Sequence, residues 1–251
     1  MCGTAAQHVF SRRLLNREVG YFECGNCGYL QTQTPDWLAE AYAKPINDFD
    51  TGIMVRTRAN VGYVVITLLA YGRLRGRVID EAGGYGILVR MLRDAGIDAR
   101  WSDKYCENLL ARGFEARDRE CELLTAFEVF EHLLDPLADL RTMLESAPVV
   151  LLSTTLIPHQ VARPPSDWWY LGLEHGQHIG FFRTRTLKLM AAKLACHWAS
   201  DGRSVHLFSR EPVPRAWRPL LRLRHFGSVI ARLRLAPRTQ SDFEWLRGQA
   251  K

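Results

Sequence analysis

The run Arg77-Val-Ile-Asp-Glu-Ala-Gly-Gly-Tyr-Gly86 constrains this chain more than any other stretch. An apolar strand ends in an acid, passes into a glycine turn, and continues into a helical pattern. A turn of that kind lets the backbone approach a nucleotide-like cofactor closely. A dinucleotide fingerprint, Gly-x-Gly-x-x-Gly, requires small residues near positions 82, 84 and 87. Position 87 is isoleucine and the glycines fall at 83, 84 and 86, so the spacing points away from NAD.

The rest of the chain reads as alternating strands and helices. Strands are predicted at 77–81, 98–103, 122–127 and 148–154, with helices near 85–95, 105–112 and 130–146. Further helices are predicted at 36–43, capped by Thr34 or Asp36, at 56–71, and at 184–194. The runs 196–200 and 204–209 flank Asp201-Gly202, a strong hairpin signal. Such alternation makes a parallel sheet wrapped by helices on both faces. The expected fold is therefore α/β, a Rossmann-like, doubly wound, mostly parallel sheet with a terminal antiparallel hairpin and a small N-terminal cysteine module. We divide the chain into that module at 1–33, a cofactor-binding domain at 34–210 and a basic helical tail at 211–251.

With 251 residues and 47% hydrophobic content, one α/β domain plus a small appendage is expected rather than two full domains. Val61–Tyr71, the longest apolar stretch, is too short and interrupted to span a bilayer, and the first residues lack a signal pattern. A cytoplasmic protein is expected. Its six cysteines then read as free thiols or metal ligands.

Spacing at the turn fits Asp-x-Gly-x-Gly-x-Gly, with Ala82 in place of the first glycine. On this motif, on Asp103 closing a second strand 23 residues after Asp80, and on Leu123–Pro136 as a fourth strand with its following helix, the chain resembles the class I S-adenosylmethionine (SAM) dependent methyltransferases over roughly residues 55 to 210. The resemblance implies that Asp80, Ala82, Gly83, Gly84 and Gly86 cradle the cofactor's amino-acid part and ribose. It also implies that Asp103 holds the ribose diol and that Phe127 and Glu128 line the site. An alanine at the first position lowers affinity if that residue needs a positive φ. Each acid has an ordinary alternative, Asp80 as a cap of the following helix above all.

Methyl transfer to an alcohol needs a base close to the acceptor. The candidates are His132, just after the fourth strand, and His175 and His178 in the aromatic-rich segment 168–182. That segment reads as a pocket lid, or else as Trp168, Trp169 and Tyr170 in ordinary packing; His132 has a structural alternative at a helix start.

Cys24-Gly-Asn-Cys27-Gly28 has the spacing of a metal knuckle. Cys2 is the obvious third ligand for a structural zinc, and His8 is a candidate fourth. Cys2-Gly3 also reads as the second half of another knuckle, whose partner cysteine is expected upstream of the assigned start. The segment Val19–Thr32, followed by Pro35–Tyr42, is similar to the zinc module of sugar C-methyltransferases, although the large additional C-terminal domain of those relatives has no room here. That similarity implies a sugar, nucleotide sugar or glycan precursor as the small-molecule acceptor. A non-catalytic binding or assembly protein on a degenerate methyltransferase fold is the alternative.

Charge is uneven: residues 202–251 carry +8 of the net +6, leaving −2 for the rest. Between Trp217 and Leu235, apolar residues at 220, 223, 226, 230 and 233 share helical spacing, with arginines opposite. The tail could meet an anionic membrane or a phosphorylated, anionic substrate, or could pack on the domain with a solvated basic face. No nucleic-acid partner is expected, since the Asn/Asp-Pro-Pro-aromatic signature of base-amino methylation is missing.

Overall fold

A computed structural model describes residues 1–43, 50–158, 161 and 168–249; Lys251, part of the tail's charge, lies outside the described residues. The chain opens with an antiparallel meander of β1 (Gln7–Leu14), β2 (Arg17–Glu23) and β3 (Leu30–Thr32). After the short α1 (Leu38–Ala41) and the long α2 (Ile53–Ala70) comes the alternation β4 (Arg77–Glu81), α3 (Ile87–Asp94), β5 (Asp98–Ser102), β6 (Leu123–Phe127), α4 (Pro136–Ser146) and β7 (Val149–Ser153). Then follow β8 (Gly180–Phe181), α5 (Thr184–Lys193), β9 (His197–Ser200) and β10 (Val205–Ser209). The tail forms α6 (Trp217–Leu220), α7 (Gly227–Arg232) and α8 (Thr239–Gln249), with a 3-10 stretch at Leu221–Phe226.

Six strands form the main sheet in the order β5-β4-β6-β7-β10-β9. The first four run parallel, and β10 is antiparallel to both of its neighbours, β7 and β9, the second pairing closed by the Asp201-Gly202 turn. The sheet is covered on both faces. Val78, Leu123, Val149, Leu151 and Leu207 pack with α2, α3 and the tail, while Leu124, Ala126, Val150, Leu152 and Phe208 pack with α4 and α5. Neighbours on a strand point to opposite faces, so a sheet buried on both sides reads as nearly continuous apolar runs. By length and apolar character α2 could cross a membrane, yet Val61, Val64, Val65, Ile66 and Leu68 lie in the core.

The N-terminal meander is extended by β8, which pairs with β3, so the segment just after the histidines belongs to the cysteine module's sheet.

Several local expectations are corrected. No helix forms at 105–112. There Asp103 accepts from the N–H groups of Tyr105 (2.7 Å) and Cys106 (2.9 Å), and Asn108 Oδ1 from that of Ala111 (2.9 Å), so side chains take donors that a helix would use. The 130–146 helix is split: Phe130–His132 is a 3-10 turn, and α4 starts at Pro136 with Asp135 accepting from Ala138 N. Proline at the first helical position disfavours a helical residue before it and so sets the start of α4. The 36–43 helix shortens to α1, with no side-chain cap; Asp36 pairs instead with Arg17 at 3.2 Å.

In the tail the inward residues are Trp217, Leu221, Gly227, Ala231 and Leu235, whereas Leu223, Phe226 and Leu233 of the expected apolar face point to solvent. Glycines select the face. A Cβ on Gly227 would lie 2.6 Å from Gly62 Cα, and one on Gly62 would strike the Arg224 carbonyl, so the tail rests backbone to backbone on α2.

Candidate active site

The turn after β4 is built from left-handed residues. Ala82, Gly84 and Gly86 have φ of 54°, 54° and 84°. Their backbone lies at the carboxyl ends of the parallel strands, where doubly wound sheets leave a crevice. A Cβ on Gly83 would stand 2.9 Å from Trp101 Cδ1 and one on Gly86 2.8 Å from Asn108 Oδ1, so both positions exclude side chains. Trp101 Nε1 donates to the Gly84 carbonyl at 2.8 Å, which holds the turn against β5.

Asp103 follows β5. Its Oδ2 accepts from Gly84 N (2.9 Å) and its Oδ1 from Tyr105 N and Cys106 N. Three N–H groups thus fix the carboxylate; Oδ1 is filled by two of them, and Oδ2 keeps acceptor capacity for a hydroxyl of a diol. Asp80 sits deeper, 4% exposed, and its Oδ1 accepts from the Thr125 hydroxyl at 2.6 Å. Burial raises its pKa to about 7 against the pull of that bond. It does not cap α3, whose N-cap is Gly86 without a side-chain bond. At the end of β6, Phe127 packs against the core, and Glu128 takes φ 55°; Glu128 N donates to Ser153 Oγ (2.9 Å), and that hydroxyl donates to Glu128 Oε1 (2.5 Å).

The three histidines converge. His178 lies with its ring 4.8 Å from that of His132 and 5.0 Å from that of His175. His132 Nδ1–H points at the Gln177 carbonyl (3.0 Å) and the Tyr42 hydroxyl (2.9 Å), and His178 Nδ1–H donates to the Tyr170 carbonyl (2.7 Å). A carbonyl can only accept, so both rings carry their proton on Nδ1 and offer a bare Nε2. His175 differs, since its Nδ1 accepts from Gln177 N at 3.1 Å. Burial keeps all three neutral, with His132 lowered to about 4 and the others pushed down.

Glu131 is a group that sequence reasoning passed over. It is fully buried, and neither carboxyl oxygen finds a hydrogen-bond partner of good geometry. Burial, then the nearby Glu128, raises its pKa to about 8; the Tyr170 and Thr154 hydroxyls oppose that push without cancelling it. The signal was its place between two sequence-flagged residues in Glu128-Val-Phe-Glu131-His132. Arg56, paired with Asp50 at 2.6 Å, faces Glu128 and Glu131 from α2. Tyr42 connects the two halves of the site, stacking on Tyr105 beyond Asp103 and bonding His132. Of the aromatics expected as a lid, Tyr170 and Trp168 pack against Phe181 and only Trp169 projects, 74% exposed.

In the N-terminal module, ligand atoms of Cys2, Cys24 and Cys27 lie within 4.8 Å of one another, with Cys2 Sγ 3.3 Å from Cys24 Sγ. Gly28, at φ 70°, closes the knuckle through a 2.8 Å bond from its N–H to the Cys24 carbonyl. Bonds from Thr4 lower Cys2 to about 6, while burial raises Cys27 to about 11. His8 does not join the cluster; it bonds Ser11 and packs on Phe22.

Among solved structures, the chain is similar to magnesium protoporphyrin IX methyltransferase from Synechocystis PCC 6803 with bound SAH (19% identity, 70% of this chain, 94% of that chain, TM-score 0.49). It is also similar to TnmH (17%, 69% and 61%, 0.44) and to an O-methyltransferase family 2 protein from Planctomyces limnophilus in complex with apigenin (13%, 71% and 71%, 0.43). The chain thus spans less than two thirds of the length of TnmH. No curated protein sequence matches it. A family model described as a methyltransferase domain matches residues 57–194, from within α2 to the end of α5, and with more than half of its length so matched the chain belongs to the methyltransferase-domain family.

Proposed function

We propose that the protein is a SAM-dependent methyltransferase acting on a hydroxyl of a small molecule. The observation that carries this is the convergence, beside the Asp103 and Ala82–Gly86 cradle, of two histidines with bare Nε2 atoms on a polar cluster. SAM, when bound, supplies a methyl group made electrophilic by its sulfonium. Asp103 would accept from the ribose diol, the backbone of 82–86 would admit the amino-acid part, and Asp80 would orient the turn, with Phe127 and Glu128 at the rim. Nε2 of His132 or His178 would take the hydroxyl proton, and His175 would support the cluster from its far side.

The acceptor class we infer is a sugar, nucleotide sugar or glycan precursor. The imidazole and carboxylate groups that face the site suit a polyol, and the cysteine module's similarity favours it. Zinc held by Cys2, Cys24 and Cys27 would brace the N-terminal module. The tail supports contact with an anionic membrane: Leu223, Phe226, Val229 and Leu233 form an exposed stripe among Arg218, Arg222, Arg224, Arg232 and Arg234.

The test is calorimetric titration with SAM of the wild type and of Asp103→Ala. Saturable binding that the variant loses supports the reading and opens a methylation screen of nucleotide sugars. No heat from folded protein at millimolar SAM overturns it in favour of a non-catalytic scaffold.

A further inference from the structure

We propose that Glu131, His132 and His178 form a second metal site, separate from the cysteines, for a divalent transition cation that prefers nitrogen and oxygen ligands.

Four observations carry this. The ligand atoms of the three side chains lie within 4.8 Å of one another, close enough for one ion to draw them together. Both imidazoles donate Nδ1–H to main-chain carbonyls, of Gln177 and Tyr170, which fixes each ring and leaves Nε2 as the ligand atom. Metal-binding histidines are oriented in the same way by a bond from their other nitrogen. Glu131 is fully buried, and neither oxygen has a hydrogen bond of good geometry although the Tyr170 and Thr154 hydroxyls stand near it, a costly arrangement that a cation would satisfy. Finally, the two ligand-bearing segments are stitched together by the Ile179 N–H to Glu131 carbonyl bond of 2.8 Å, so the cluster does not depend on loose loops.

Chemistry of the donor set selects the ion. Two imidazoles and a carboxylate suit Mn²⁺, Fe²⁺, Co²⁺ or Zn²⁺ and leave coordination positions open, whereas Mg²⁺ and Ca²⁺ favour all-oxygen shells. Charge agrees: Glu128 stands beside Glu131, and the facing cation, Arg56, is already paired with Asp50. The open positions would grip an acceptor hydroxyl and make it more acidic, so that its proton is released to water and the histidines act on it through the ion rather than as its base. That role rests on the methyltransferase reading; binding of the ion does not.

The probe is Mn²⁺, which thiolates favour little, titrated into the purified full chain and followed by electron paramagnetic resonance. One ion per chain is expected, with affinity reduced at least about tenfold in Glu131→Gln and in His178→Ala. A second readout uses wild type alone, in case a variant misfolds. Substoichiometric Mn²⁺ should broaden the ring proton signals of His132 and His178 and spare His8, His197 and His225. Absence of binding, variants that bind like wild type, or broadening confined to the spared histidines overturns the site. Failure of SAM to bind in the separate calorimetric titration would remove the methyltransferase reading and leave this result untouched.

Discussion

Ala82 and Glu128 are non-glycine residues held at φ 54° and 55°, at the carboxyl ends of the adjacent strands β4 and β6. A left-handed L-residue costs roughly 1–2 kcal/mol, and such strain gathers at functional sites. Ala82→Gly should therefore raise stability by up to about 1 kcal/mol in urea unfolding, and Ala82→Val should lower it by more than that, because a β-branched residue fits that conformation poorly. Equal stability of all three would show that the turn relaxes freely. Asp80 makes a pH-dependent prediction. Its folded pKa of about 7 lies above the ordinary 3.8, so the folded state holds the proton more tightly. Its favourable contribution is complete below about pH 4 and is lost as pH rises through 7, with a loss of up to about 4 kcal/mol. Asp80→Asn keeps the shape and cannot ionise, so thermal melts of the variant should decline less than wild type between pH 5 and 8; parallel profiles would mean that Asp80 is already ionised at pH 5. Asp80, Ala82, the glycines and Asp103 were legible in the sequence because a strand, turn and helix place them by local spacing. Thr125 was not, since it meets Asp80 only through the register of β4 on β6.

Elements were readable where apolar runs set them, as for β4 to β7 and the β9–β10 hairpin, and unreadable where side chains compete for backbone donors, as after Asp103. The tail shows a different limit. Its helix carries two apolar stripes, and the choice of the buried one belongs to Gly62 and Gly227 meeting across the interface, a contact that periodicity does not encode. Docking of α8 was equally hidden. Asp242 receives Arg93 Nε and Nη2 at 2.7 Å each and Arg90 Nη2 at 2.8 Å, while the Arg93 guanidinium lies 3.7 Å over Phe114. With Arg93 3% and Asp242 4% exposed, Asp242→Ala would strip two of the buried guanidinium's charged hydrogen bonds and leave it only Asp98, at 3.0 Å, as counter-charge, a cost of about 2–3 kcal/mol. Urea unfolding measures this directly, and a loss under 1 kcal/mol would show that α8 contributes little to the fold. The outward stripe yields a separate expectation. Phe226 and Leu233 are 60% and 80% exposed, so Phe226→Asp with Leu233→Asp should abolish cosedimentation with anionic vesicles and leave the melting temperature near wild type. Unchanged sedimentation would return the stripe to ordinary surface.

At the scale of the whole molecule, the cysteine module and the histidine cluster form one mechanical unit. β8 pairs with β3 through Leu30↔Phe181 and Gln31↔Gly180, immediately after His178. Thr32 N donates to the Ile179 carbonyl (3.0 Å), Trp37 Nε1 to the Gly176 carbonyl (2.8 Å) and Thr186 Oγ1 to the Cys27 carbonyl (2.8 Å), and Arg183 pairs with Glu23 at 2.8 Å. Among the described residues the cofactor turn has no backbone bond to the module, being held by β5 through Trp101 and Asp103. Loosening the thiol cluster should therefore reach the acceptor side of the site and stop short of the cofactor side. Replacing Cys24 and Cys27 by serine tests this through amide hydrogen exchange, which reports local opening free energies segment by segment. Exchange should quicken in peptides covering 23–32 and 175–182, remain as in wild type over 77–90, and leave SAM affinity within about twofold, a small change on the scale where tenfold is 1.4 kcal/mol. If quickening stops at residue 32, the meander is an independent appendage and the histidines are positioned by the methyltransferase domain alone; if it spreads to 77–90, the two cores unfold together and the division of labour between them is lost.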